Sequence, residues 1–169
     1  MSFTVDQAAA YSSHLPVLAA AMQHTSGPVL ELGAGFGSTY LLHGLCGATG
    51  RKLTTLETDD EWLLRFMDYG RPWHEFKKVD SYLNLTEYKD AWGLVFVDHG
   101  MYEQRGHSVT QLKHVPVIVV HDTCYPWLYD YTRALAEYQY CWDWKINGPQ
   151  TSVISNIYDV RQIFAGFGL

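Results

Sequence analysis

Val29-Leu30-Glu31-Leu32-Gly33-Ala34-Gly35-Phe36-Gly37-Ser38-Thr39 decides the fold, because an apolar strand runs here into a glycine-rich turn that opens a helix. Glycine lets backbone amides approach a bound molecule where a Cβ would collide, and the first turn of the helix presents free N–H groups. A ligand is expected at such a turn, and the charge of the turn narrows its chemistry. Glu31 stands at the strand end, and no Lys or Arg occurs between Glu31 and Gly50, so a pyrophosphate would find little to balance it.

The dinucleotide fingerprint G-x-G-x-x-G/A fits imperfectly, since Ser38 occupies its third glycine position. The pattern present is E-x-G-x-G-x-G. It resembles the first motif of the class I S-adenosylmethionine (SAM)-dependent methyltransferases, and Glu31, Gly33, Gly35 and Gly37 match it position by position. The resemblance implies that this loop cradles the methionine end of SAM, whose ammonium and sulfonium suit an acidic site. The bland alternative is a turn that needs glycine only for close packing.

Outward from this loop, strands and helices alternate. Strands are expected over residues 29–32, 52–57, 76–79, 94–97 and 117–120, with helices over 38–45, 60–69, 103–113 and 127–138 between or after them. Residues 6–23 read as a helix that Pro16 interrupts. Two strands, 142–146 and 152–157, flank Asn147-Gly148-Pro149 with no room for a crossover helix and should pair antiparallel. The expected fold class is α/β: a Rossmann-like, mostly parallel seven-stranded sheet with a C-terminal antiparallel hairpin and helices on both faces. One domain is expected over 1–169, with an N-terminal helical segment (1–27), a core (28–157) and an apolar tail (158–169).

Composition bounds the function. Hydrophobic residues make up 47% and charged residues 18%, a globular composition. The formal net charge of −6 disfavours nucleic acid as partner, since that binding depends on Lys and Arg neutralising phosphates. Arg71, Lys77 and Lys78 form the densest basic cluster, most simply a solubilising one. Cys46, Cys124 and Cys141 are too widely spaced for a disulfide framework or a zinc ribbon, and no apolar run approaches a membrane span. A soluble, cytoplasmic protein is the default expectation; a homo-oligomer stays open.

Ligands of open α/β sheets bind beyond the carboxyl ends of the strands, so acids there carry weight. Glu57, at the end of the second strand, can accept both ribose hydroxyls, with Asp59 as competitor or as cap of the next helix. By resemblance Asp80, or Ser81, contacts the adenine amino group, and Tyr82 is either an adenine stacker or core. Asp98-His99 and His121-Asp122-Thr123 end the two purest strands, which should bring them together. Asp98-His99-Gly100-Met101-Tyr102 and His121-Asp122-Thr123 resemble a subgroup of small class I methyltransferases, some of which methylate hydroxyls with a divalent metal held at these strand ends. Asp98 and Asp122 are thus candidate Mg2+ ligands, and His99 or His121 a candidate general base. Arg105, His107 and Tyr125 either line an acceptor site or belong to a solvated surface.

The expected function is SAM-dependent methyl transfer to an oxygen of a small molecule or sugar, with SAM as cofactor and Mg2+ as a candidate second one. A SAM-binding module without transfer activity and a nicotinamide-binding oxidoreductase are the alternatives.

Overall fold

The computed structural model describes residues 12–146 and 148–165. Its strands are β1 (Val29–Leu32), β2 (Leu53–Glu57), β3 (His74–Lys78), β4 (Leu94–Val97), β5 (Ile118–Val120), β6 (Tyr140–Trp144) and β7 (Thr151–Ser155). They form one sheet of order β3-β2-β1-β4-β5-β7-β6. Strands β1 to β5 run parallel, whereas β7 is antiparallel to both β5 and β6. The chain moves outward from β1 to β3 and then returns to place β4 on the other side of β1. That reversal opens a crevice between the β1 and β4 loops, where ligands of such sheets bind.

The α-helices among the described residues are α1 (Leu15–His24), α2 (Ser38–Thr49), α3 (Asp60–Leu64), α4 (Arg105–Gln111), α5 (Tyr131–Ala136) and α6 (Arg161–Phe164). The two-residue period of the strands divides the core. Leu30, Leu32, Val95, Val97 and Val120 face one layer with Val109 of α4 and Tyr131 of α5. Val29, Phe96 and Val119 face the other with α1, Leu42 of α2 and Ile163 of α6. β1 and β4 are buried along their whole length, as parallel strands covered on both faces must be.

The strand–helix alternation and the closing hairpin agree with the sequence reading, while several helices differ from it in extent. α1 begins at Leu15 and carries Pro16 in its first turn, where the missing N–H costs no helical bond; residues 6–11 of the expected helix lie outside the described residues. α2 runs on to Thr49, where Gly50 at φ 69° stops it. The expected helix over 60–69 is α3 followed by a 3-10 turn, Met67–Tyr69. That over 103–113 is the 3-10 turn Tyr102–Gln104 leading into α4. That over 127–138 contracts to α5, because Asp130 takes a left-handed φ of 55° just before it. In the apolar tail Ile163 packs into its own core; Phe167 lies outside the described residues.

Candidate functional site

Glu31 sits on β1 between Thr55 of β2 and Phe96 of β4 and is fully buried. One carboxylate oxygen, Oε2, accepts hydrogen bonds from Thr39 Oγ1 at 2.9 Å and Thr55 Oγ1 at 2.7 Å. The other, Oε1, has no hydrogen-bond partner. Burial raises its pKa to about 7, and the hydroxyl hydrogen bonds only partly offset that rise.

The glycine loop above it is held from three sides. Gly33 takes φ 96°, and a Cβ there would stand 2.5 Å from His99 Cα, so its glycine is required by packing against the β4 loop. Ala34 donates its amide to Glu57 Oε2 at 2.9 Å, and its carbonyl accepts from the Trp62 indole at 2.6 Å. Gly35 donates to Thr39 Oγ1, and Gly37 is the N-cap of α2 without any side-chain cap. Phe36 is 42% exposed over the loop, with its ring 5.0 Å from Trp62 and 5.4 Å from Phe66. Trp62, which no motif singled out, clamps the loop.

Glu57 is placed beside that loop at the end of β2, but its carboxylate is already well used. Oε1 accepts from the amides of Thr58 at 2.6 Å and Asp59 at 3.0 Å, and from Thr58 Oγ1 at 3.3 Å. Only Oε2, with its single bond from Ala34, keeps acceptor capacity for an incoming hydroxyl. Asp59 is the N-cap of α3, accepting from Trp62 N at 2.8 Å.

Beyond β3, Asp80 is exposed. Ser81 donates to Gln104 Oε1, which also accepts the Tyr82 amide. Tyr82 is fully buried, stacked on His99 at 3.8 Å with its hydroxyl donating to Leu56 O, so its ring is core and cannot meet an adenine.

The parallel register of β4 and β5 pairs Val97 with Val120 and brings the residues after them together. Asp98 Oδ1 lies 3.2 Å from His121 Nδ1 and 3.0 Å from Arg105 Nη2. Arg105 Nη1 reaches Asp122 Oδ2 at 3.0 Å, and its Nε donates to His99 O at 2.6 Å. The guanidinium carbon stands over the Tyr129 ring, 4.4 Å from its centroid, and Tyr129 donates its hydroxyl to Asp122 Oδ2. Arg105 is therefore neither a solvated face nor an open wall: it is 4% exposed and bridges the two aspartates. Gly106 makes this possible, because a Cβ there would stand 2.3 Å from Asp130 O and keep α4 away from the β5 loop.

Electrostatics in this cluster follow from burial and from the ion pairs. Burial would raise the Asp98 carboxyl, but His121 and Arg105 outweigh it and hold its pKa at about 2. Burial opposes protonation of His121, yet Asp98 overcomes it and raises the imidazole above its usual value. Asp122 adopts a left-handed φ of 61°, a conformation that Asp tolerates better than most side chains. Thr123 is spent on the hairpin, bonded to Ser152 Oγ at 2.7 Å.

Two expectations change here. His99 is fully buried, stacked on Tyr82 and bonded through Nε2 to Ser108 Oγ at 3.0 Å, and burial lowers its pKa to about 3. The structure gives it a packing role rather than that of a base. The carboxylate pair Asp98 and Asp122 does not fit Mg2+ either, because a guanidinium already occupies the position between them. Among the described residues the donors that do converge are His14, Asp98 and His121.

His107 is half-buried against Leu83 O. Tyr125 and Trp127, in the loop between β5 and α5, are 44% and 77% exposed with rings edge to face. Lys77 and Lys78 pair with Glu75, Glu87 and Asp60. A cavity of about 500 Å3, lined by residues 83–86, Tyr88, Lys89, Gln111 and His114, contains none of the strand-end acids. No described helix is long and apolar enough to cross a membrane.

No family model and no curated protein sequence matches the chain. Solved structures match it by fold. Podospora anserina methyltransferase PaMTH1, bound to S-adenosylhomocysteine, superposes with a TM-score of 0.61 at 15% identity, covering 90% of this chain and 82% of that one. A Haloferax volcanii methyltransferase seen in complex with the Trm112 activator gives 0.54 at 12% identity, covering 86% and 91%. Human N-acetylserotonin methyltransferase in complex with SAM gives 0.51 at 13% identity, covering 86% of this chain. The chain spans about half the length of that enzyme, 52%, and of a Mesorhizobium loti SAM-dependent methyltransferase, 53%. The chain has the Rossmann-like fold of the class I SAM-dependent methyltransferases.

Proposed function

We propose that this protein is a SAM-dependent methyltransferase acting on an oxygen of a small-molecule or sugar acceptor. The observation that carries the reading is Glu31. A fully buried carboxylate with one unpartnered oxygen, at the switch point of the sheet and under a loop free of Lys and Arg, is suited to a cationic ligand. SAM presents such a cation in its ammonium group. Gly33, Gly35 and Gly37 would follow its methionine end. Glu57 Oε2 would accept a ribose hydroxyl, and exposed Asp80 the adenine amino group.

Across the crevice, Asp98, His121 and Asp122 would meet the acceptor. With SAM bound, the Asp98 carboxylate, held through Oδ1 by His121 and Arg105, would take the acceptor's hydroxyl proton at Oδ2 as the oxygen attacks the methyl carbon in line with sulfur. Bound SAM would supply the methyl group: its S–CH3 bond would break with the electron pair kept on sulfur, and S-adenosylhomocysteine would leave neutral at that atom. Arg105 orients both aspartates through its two ion pairs. The exposed Tyr125 and Trp127 offer apolar surface for the body of an acceptor.

Calorimetric titration of ligand-stripped protein with SAM, S-adenosylhomocysteine and NAD tests the cofactor. One-to-one binding of the first two, weakened in both Glu57→Ala and Glu31→Gln, is expected. Binding of NAD without SAM overturns the reading in favour of an oxidoreductase. SAM binding with no turnover across hydroxyl acceptors would instead leave a binding module.

A further inference from the structure

We propose that His14, Asp98 and His121 form a binding site for a divalent transition-metal ion. The three come from separate parts of the chain: the N-cap of α1, the loop after β4 and the loop after β5. Each offers one ligand atom, and these atoms lie within 4.8 Å of one another. Ligand atoms about 2.0–2.2 Å from a common tetrahedral ion stand roughly 3.4 Å apart. Asp98 Oδ1 and His121 Nδ1, at 3.2 Å, already meet that spacing, and a His14 ring nitrogen completes the group within 4.8 Å.

His14 gives the second, independent observation. It is 3% exposed, and neither ring nitrogen has a hydrogen-bond partner. A buried polar group in that condition carries a desolvation cost that a ligand to those nitrogens would remove. The ring is wedged between Phe96, at 5.0 Å, and His121, at 4.6 Å, so its place is set by packing.

His121 is oriented in the manner of a metal ligand. The Ser13 hydroxyl donates to Pro149 O at 3.2 Å and so accepts from His121 Nε2–H at 3.1 Å. In the neutral imidazole that bond leaves the Nδ1 lone pair facing Asp98, the arrangement in which a cation replaces the Nδ1 proton. With neutral imidazoles, Asp98 and Asp122 outweigh Arg105 by one negative charge, which a cation offsets. A proton shared between His121 and Asp98 answers the same charge but leaves His14 without a partner.

Two imidazoles and one carboxylate favour Zn2+, Co2+, Fe2+, Ni2+ or Mn2+ over Mg2+, which prefers oxygen donors. Three protein ligands leave a position open for water or an acceptor oxygen. The site stands on its donors and does not depend on methyl transfer.

The test is titration of chelator-treated protein with Co2+ and Zn2+, read by calorimetry and by the visible absorption of bound Co2+. One-to-one binding is expected, unaffected by a large excess of Mg2+. His14→Phe keeps the ring packing and has no hydrogen bond to lose, so the variant should fold with an unchanged circular dichroism spectrum while affinity falls at least about 100-fold. Absence of one-to-one binding in the wild type, or its full retention in His14→Phe, overturns the proposal. So does loss of binding in His43→Ala, which would move the ion to the His43–His74 pair, whose Nδ1 atoms are 3.0 Å apart. SAM affinity measured on the metal-free protein fails or succeeds separately, so the two readings can be refuted independently.

Discussion

Replacing Glu31 by Gln should make the ligand-free protein more stable in mildly alkaline solution and leave it nearly unchanged in acid. The carboxyl has a pKa of about 7 in the folded protein against an ordinary value of 4.5, so the folded state holds this proton more tightly than the unfolded chain. For a raised pKa the favourable contribution is complete below about pH 4.5 and is lost as pH rises through about 7. Above that, both states are ionised and the penalty is constant. The shift corresponds to roughly 3 kcal/mol in the alkaline limit. Glutamine mimics the protonated acid: its carbonyl still accepts from Thr39 and Thr55, and its NH2 stands where Oε1 has no partner. Urea unfolding of wild type and Glu31→Gln at intervals from pH 5 to pH 8.5 is the assay. The variant's advantage should be under about 1 kcal/mol at pH 5 and grow to roughly 3 kcal/mol at pH 8.5. In thermal melts the same difference is about 6–12 °C. Saturating SAM, whose ammonium would pair with the carboxylate, should shrink or reverse the alkaline advantage. Stability curves that stay parallel across the pH range would refute the reasoning, because Glu31 would then not titrate between these limits.

Arg105→Met leaves Asp98 and Asp122 without their shared cation and should cost about 3 kcal/mol in urea unfolding, with part of the loss recovered by adding Asp122→Asn. Gly33→Ala combines a left-handed φ with a 2.5 Å approach to the His99 backbone, and is expected to lose at least about 3 kcal/mol and to lower the soluble yield. Trp62→Phe removes the indole hydrogen bond to Ala34 O and should cost about 1 kcal/mol, with faster amide exchange confined to the glycine loop. Asp80→Ala, at an exposed position, should change stability by less than about 0.5 kcal/mol while weakening SAM several-fold in calorimetry.

The strands and the strand-end acids were legible because their signals are local. An apolar run that ends in Glu31, Glu57, Asp98 or His121-Asp122 specifies both a buried parallel strand and an acid at its carboxyl end. The closing hairpin was legible for the same reason: Gly148-Pro149 leaves no length for a crossover. Helix ends were less legible, since α5 is shortened by the backbone conformation of Asp130 and α3 yields to a 3-10 turn. Tyr82 and His99 looked available for chemistry because residue type does not say which way a ring points, and the structure turns both into the core.

By itself the sequence determined the sheet, its parallel part and closing hairpin, the acidic glycine loop and the meeting of Asp98 with His121, all of which follow from periodicity and strand register. Only the tertiary structure decided that Arg105 bridges Asp98 and Asp122, that Trp62 clamps the loop at Ala34, and that His14 arrives beside His121. Each of these contacts joins residues whose local patterns are indistinguishable from ordinary helix surface or core. Their partners are selected by close packing, as when Gly106 lets α4 settle against Asp130 and carries Arg105 between the two aspartates.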